Sequence, residues 1–131
     1  MDLMERLQSR LPPFGQHLGI TYTVVQSDRI VAEMLVRDDL SNGLGTAHGG
    51  TLMAFADTLG AVGTAISLQQ GERTTTLESK TNFIAGAPVG TKIVGESIPL
   101  HRGRRTHIWE TKITNEAGKL VAKVTQTQMV L

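Results

Sequence analysis

Apolar and polar positions along this chain change their period several times, and each change predicts an element. Over Asp2 to Leu11, the residues Leu3, Leu7 and Leu11 fall near one helical face, so a short amphipathic helix is expected, stopped by Pro12-Pro13. From Ile20 the pattern turns to strand: Ile20-Thr-Tyr-Thr-Val-Val25, a Ser27-Asp28 turn, then Ile30-Val-Ala-Glu-Met-Leu-Val36, together a hairpin. Asp38 to Ala47, rich in Gly, Asn and Asp, reads as a loop. The stretch Gly50 to Gln70 (GTLMAFADTLGAVGTAISLQQ) predicts a long apolar helix ending near Gly71. Strand-like runs follow over Thr74 to Ile84, Thr91 to Leu100 and Arg105 to Thr114, then over Leu120 to Leu131 after the Asn115-Glu-Ala-Gly118 turn.

Short turns between these runs imply antiparallel neighbours, and one buried helix followed by a run of strands implies a curved sheet packed around it. The helix carries Gly49, Gly50, Ala54, Ala56, Gly60, Ala61, Gly63 and Ala65, so a sheet can approach its backbone closely. The expected fold class is α+β: a long central helix wrapped by a curved antiparallel β-sheet, with a short N-terminal helix. With 131 residues and 40% hydrophobic side chains, the chain is sized for one domain, 1–131, with a modest core.

Charge and composition narrow the function classes. A formal net charge of +1 suggests neither a nucleic-acid binder nor an acidic tail. The absence of cysteine excludes a disulfide framework, a thiol nucleophile and a cysteine-ligated metal. The start, MDLMERLQSRL, has no continuous apolar region of the signal-peptide kind, and the Gly, Thr and Asp of the central stretch argue against a membrane span. A cytoplasmic location is expected.

Within the central helix, Asp57 is the only charged side chain from Gly50 to Gln70. A lone acid in apolar surroundings is costly unless it is paired or used. A wet-side position or a structural hydrogen-bond acceptor are the plain alternatives. An exposed face would have to be drawn from Thr51, Thr58, Thr64 and Ser67, too apolar for an ordinary surface helix. A helix apolar nearly all round is expected to be buried.

The loop before this helix reads Asn42-Gly-Leu-Gly45-Thr-Ala-His48-Gly49-Gly50. With Asp57 following, this pattern resembles the signature of hotdog-fold acyl-CoA thioesterases of the phenylacetic-acid-pathway (PaaI-like) branch. The run Pro99-Leu-His-Arg-Gly-Arg-Arg-Thr-His-Ile-Trp109-Glu110 is similar to the penultimate strands of that branch. Its relatives proofread enterobactin synthesis or hydrolyse hydroxybenzoyl- and naphthoyl-type thioesters. The resemblance spans about residues 14–131 and implies hydrolysis of a CoA thioester without a cofactor.

Thioester hydrolysis builds negative charge on the carbonyl oxygen, and N–H donors at a helix N-terminus stabilise it. Gly49 N–H is the candidate oxyanion donor, Gly50 gives the acyl group room, and the Asn42 amide can add a contact to the carbonyl or the attacking water. Tight-turn roles for the glycines and an Asx-turn for Asn42 are the structural alternatives. Asp57 then acts as general base or as nucleophile, two roles the sequence does not separate. The resemblance implies that relatives carry Glu or Asp here and several place a hydroxyl one turn later, where this chain has Ala61. It also aligns Thr76 with a serine that helps hold water. His48 suits either acid–base work or a hydrogen bond to loop backbone.

Arg102, Arg104 and Arg105, with His101 and His107 nearby, form a basic turn. Such a turn is commonly only solvated, but arginines also bind the phosphates of coenzyme A. No histidine has a ligand partner at zinc spacing, so no metal is expected. A non-hydrolytic acyl-CoA or acyl-carrier binding module would need the same groove without Asp57. A hotdog-type dehydratase pairs His and acid differently. The expected partners are an acyl-CoA substrate and a second copy of the chain, with no nucleic acid and no membrane. Gly49 and Asp57 lie about 12 Å apart along one helix, so antiparallel helices in a two-fold dimer are needed to bring them together. The resemblance implies dimers of dimers.

Overall fold

All 131 residues are described by a computed structural model. Asp2 caps α1 (Leu3–Ser9), accepting Glu5 N–H while the Glu5 carboxylate accepts Asp2 N–H. The helix closes before the expected Leu11. Pro12-Pro13 does more than stop it: Pro13 opens a second short helix, α2 (Pro13–Leu18), which the periodicity did not predict. Proline suits that first position because its missing N–H would have no intrahelical acceptor. Gly19, in the left-handed region at φ +75°, ends α2 and turns the chain into the sheet.

Six antiparallel strands follow: β1 (Thr21–Gln26), β2 (Arg29–Leu35), β3 (Thr74–Phe83), β4 (Lys92–Arg102), β5 (Thr106–Thr114) and β6 (Leu120–Val130). Their order in one sheet is β1-β2-β4-β5-β6-β3. The short link between β3 and β4 therefore does not make them neighbours, contrary to the turn-length argument. Strand β4 is already paired on both sides, to β2 and β5, so β3 takes the edge beside β6. Residues 84–91 cross the sheet instead and dock on the loop before the central helix. There Ala47 N–H donates to Ala87 O at 2.8 Å and Val89 N–H to Gly45 O at 2.9 Å.

The central helix α3 (Gly49–Ala65) lies in the concave side of the sheet. It ends at Ala65 rather than near Gly71. Past Thr64 the backbone tightens to three-residue spacing, with Ser67 N–H on Thr64 O and Leu68 N–H on Ala65 O. Gly71, at φ +88°, serves the turn into β3 instead. One side of α3 is buried: Leu52, Phe55, Ala56, Leu59, Gly60 and Gly63. Phe55 and Leu59 are fully enclosed, and each such side chain stabilises by about 1.5–3 kcal/mol.

The outward positions differ from the expected set. Thr51 and Thr64 face inward, where Thr51 Oγ1 donates to Leu40 O at 3.0 Å and Thr64 Oγ1 lies 3.0 Å from Trp109 Nε1. Hydroxyls satisfied in this way are compatible with burial. The other side presents Met53, Ala54, Asp57, Thr58, Ala61, Val62 and Ala65, half-buried or exposed. Within one protomer, then, α3 is not enclosed all round. No helix is long and apolar enough to cross a membrane.

Candidate active site

The start of α3 is shaped by the loop before it. Asn42 forms an Asx-turn, its Oδ1 accepting Leu44 N–H at 2.8 Å, while its Nδ2 donates to Thr46 Oγ1 at 2.9 Å. Gly43 and Gly45 flank Leu44 at φ +78° and +89°, which side chains disfavour. His48 is the N-cap, extended at φ −63° and ψ 140°. Its Nδ1 accepts Gly50 N–H at 2.8 Å, so this ring satisfies one of the free donors of the first turn. The Gly49 N–H, first of the helix, has no acceptor in the protomer. A Cβ on Gly49 would stand 3.1 Å from the Phe83 ring, tighter than ordinary contact, so glycine keeps this donor approachable.

Two turns further on, Asp57 points from the half-exposed side of α3 toward the edge of the sheet. Its Oδ1 accepts Thr76 Oγ1–H at 2.7 Å and Gln126 Nε2–H at 3.3 Å. Gln126 Nε2 also reaches the Asp57 carbonyl at 3.3 Å. Behind Thr76, Gln128 Nε2 donates to Thr76 Oγ1 at 2.6 Å and Thr74 Oγ1 donates to Gln128 Oε1 at 2.9 Å. A bulge at Leu77 re-aims this end of β3: Thr76 pairs with Gln128, but Glu78 already pairs with Thr127. Beyond the bulge, Ser79 Oγ and Thr81 Oγ1 are buried without a partner on the stretch leading back to Phe83.

The basic turn lies at the opposite end of α3. Arg102 Nη1 donates to Ser27 O at 2.5 Å, so that guanidinium is tied to the β1–β2 turn. Arg104 and Arg105 are exposed and make no ion pair within the chain. A cleft of about 240 Å³ between this turn and the end of α3 is lined by Ser67, Leu68, Glu72, Arg104, His107 and Val130. Inside it, the His107 ring is held below the usual 6.5, first by burial and further by the charges of Arg102 and His101, while its hydrogen bond with Gly103 works the other way. Thr64 Oγ1 lies 3.1 Å from His107 Nδ1 and accepts Trp109 Nε1–H, so its own proton is free to go to a neutral imidazole.

One protomer thus joins Asp57 to Thr76, and His48 to Gly49 and Gly50. It leaves these two groups about 12 Å apart along α3, with the arginines farther still. Sequence reasoning missed Gln126, Gln128 and Thr74. The signal was present in β6, where Val124, Gln126 and Gln128 share the inward face of an alternating strand and two amides occupy positions that burial alone would give to apolar residues.

Known proteins share this architecture. The thioesterase superfamily family model matches residues 44–122, more than half of the chain. The proofreading thioesterase EntH of Klebsiella pneumoniae is 34% identical over 104 residues, covering 79% of this chain and 74% of its own length. The 1,4-dihydroxy-2-naphthoyl-CoA hydrolase of Listeria monocytogenes is 29% identical over 104 residues, covering 79% and 84% respectively. The crystal structure of thioesterase HI1161 from Haemophilus influenzae superposes with a TM-score of 0.91 at 27% identity, covering 100% of this chain and 92% of the other. With its helix wrapped in an antiparallel sheet and its His48-Gly49-Gly50 helix start, the chain belongs to the thioesterase superfamily and is a hotdog-fold thioester hydrolase.

Proposed function

We propose that this protein hydrolyses acyl-CoA thioesters, with Asp57 as general base or nucleophile and the Gly49 N–H of a second copy as oxyanion donor. The observation that carries the reading is the Asp57 carboxylate, which has one oxygen fixed by Thr76 and Gln126 on a half-exposed helix side that carries no other charge. The substrate class is supported by the name of the Listeria relative, a CoA hydrolase. In the general-base form, Asp57 takes a proton from water as its oxygen bonds to the thioester carbon. The carbonyl oxygen becomes an oxyanion held by the N–H donor; collapse then expels the CoA thiolate, which recovers the proton. In the nucleophile form, Asp57 itself bonds to that carbon, expels the thiolate, and water cleaves the resulting anhydride.

Each remaining candidate takes a place in this reading. His48 orders the first turn, and Gly50, whose N–H it occupies, leaves room for the acyl group. Asn42 retains one Nδ2 proton for the carbonyl or the water. Arg104 and Arg105 meet CoA phosphates. Two copies are required because Gly49 and Asp57 of one chain are separated by about 12 Å and face about 80° apart around the helix. Packing the open side of α3 against an antiparallel copy brings one chain's Gly49 to the other's Asp57 and covers Met53, Ala54 and Ala61; two such dimers assemble into a tetramer.

The test is thiol release from a panel of aryl and aliphatic acyl-CoAs, by wild type and by Asp57→Asn. Hydrolysis of at least one ester, with kcat lowered about 10²–10⁴-fold and KM little changed in the variant, is expected. An acyl-CoA that binds without releasing thiol from the wild type would favour the binding module instead.

A further inference from the structure

The groups behind Asp57 form a chain of hydrogen bonds with only one consistent direction. Gln128 Nε2 donates to Thr76 Oγ1 at 2.6 Å, so the single Thr76 proton is left to donate to Asp57 Oδ1 at 2.7 Å. That polarity holds only while the Gln128 amide keeps its nitrogen toward Thr76. A flipped amide would present Oε1 and draw the Thr76 proton away from Asp57. The acceptor-only Asp57 carboxylate sets this direction, and Thr74 Oγ1, donating to Gln128 Oε1 at 2.9 Å, satisfies the buried amide oxygen that the arrangement turns away from Thr76.

Gln126 bears on the same carboxylate from the neighbouring inward position of β6. It is 1% exposed, and its Oε1 is buried without a partner. An amide with an orphaned oxygen is a poorer core residue than Leu or Met, so packing does not call for it here. What it gains is the pair of donations to Asp57. The helix is cut away to seat it: a Cβ on Gly60 would stand 2.3 Å from the Gln126 amide carbon.

We propose that Thr74, Gln128 and Gln126 are positioning residues for catalysis: Thr74 and Gln128 acting through Thr76, and Gln126 donating directly, place two donors on one Asp57 oxygen and leave the other oriented toward the thioester. This rests on the reading of Asp57 given above. None of the three needs to touch substrate. Their contribution lies in the orientation of the carboxylate, where small misplacements carry large penalties in rate.

The test is a set of isosteric variants assayed on the best acyl-CoA beside Asp57→Asn. Thr74→Val sits on an edge strand and keeps the β-branched shape, so the sheet is retained. Thr74→Val and Gln128→Leu should each lower kcat by about 10–100-fold with KM within about twofold, because the ground-state contacts are unchanged. Thr76→Val should do the same, and Thr76→Ser should restore kcat to within about threefold of wild type. Gln126→Leu should lower kcat as well. In the double variant Thr74→Val/Gln128→Leu the loss should equal that of Gln128→Leu alone, since both act through one bond, whereas independent packing effects would multiply.

If Asp57→Asn abolishes turnover while folded Thr74→Val and Thr76→Val keep kcat within twofold of wild type, the positioning role is overturned and the catalytic reading stands. Multiplying losses in the double variant also overturn it. If Asp57→Asn is itself active, both fall.

Discussion

At the scale of single residues, the candidate groups are legible wherever the signal is local. Asp57 stood out because no other charge lies near it in sequence, and His48-Gly49-Gly50 because the helix begins there. Thr74, Gln126 and Gln128 were not legible as a group, because their meeting depends on the β3–β6 register and on a one-residue bulge. Gly49 yields a direct test. Proline is favoured at the first helical position, and His48 already has the extended backbone required before it. Gly49→Pro therefore deletes this N–H while keeping the helix start, with its Cβ pressed to 3.1 Å against the Phe83 ring, and should lower kcat about 10²–10³-fold while the circular dichroism spectrum stays that of wild type. Unchanged turnover would remove the Gly49 donor from the mechanism. His107 makes a second prediction. Its folded value lies below the usual 6.5, so the unfolded chain binds more protons between the two values. Its stabilising share is whole above 6.5 and is lost as pH falls through the folded value. Thermal unfolding of wild type should therefore weaken from about pH 7.5 to about pH 5 more than that of His107→Gln. Equal declines would show that other groups set the acid limit.

At the scale of elements, the hydrophobic pattern located every strand and the central helix, because period and turn residues are local properties. It missed α2, since Pro12-Pro13 reads as a stop and six residues show little periodicity. It also placed β3 beside β4, because turn length does not report which strand edges are already occupied. The glycines of α3 were correctly read as places of close approach, and Gly63 measures how close. A Cβ there would stand 2.6 Å from the Trp109 ring, which is fully buried and fixed by its N–H on Thr64. Alanine gains about 1 kcal/mol of helix propensity, but overpacking a rigid core costs about 1–3 kcal/mol. Gly63→Ala should thus lower the unfolding free energy by up to about 2 kcal/mol in a denaturant titration. A gain in stability would mean that Trp109 moves aside freely.

At the scale of the whole molecule, the proposed second copy would account together for the open side of α3 and the separation of Gly49 from Asp57. The basic turn divides within this picture. Arg102 is committed to the Ser27 carbonyl, so Arg102→Ala should harm CoA esters and truncated pantetheine thioesters alike. Arg104→Ala and Arg105→Ala should raise KM for the CoA ester alone and weaken its salt dependence, which steady-state assays at two ionic strengths would resolve. The shared site is tested most directly by mixing two inactive variants, Gly49→Pro and Asp57→Asn, through co-expression with different tags. Random pairing makes about half of the dimers mixed, and each mixed dimer holds one intact site of two, so about a quarter of wild-type activity should return. No recovery, with mixed dimers confirmed by sequential tag purification, would place both groups in a single chain's site and contradict the two-copy arrangement.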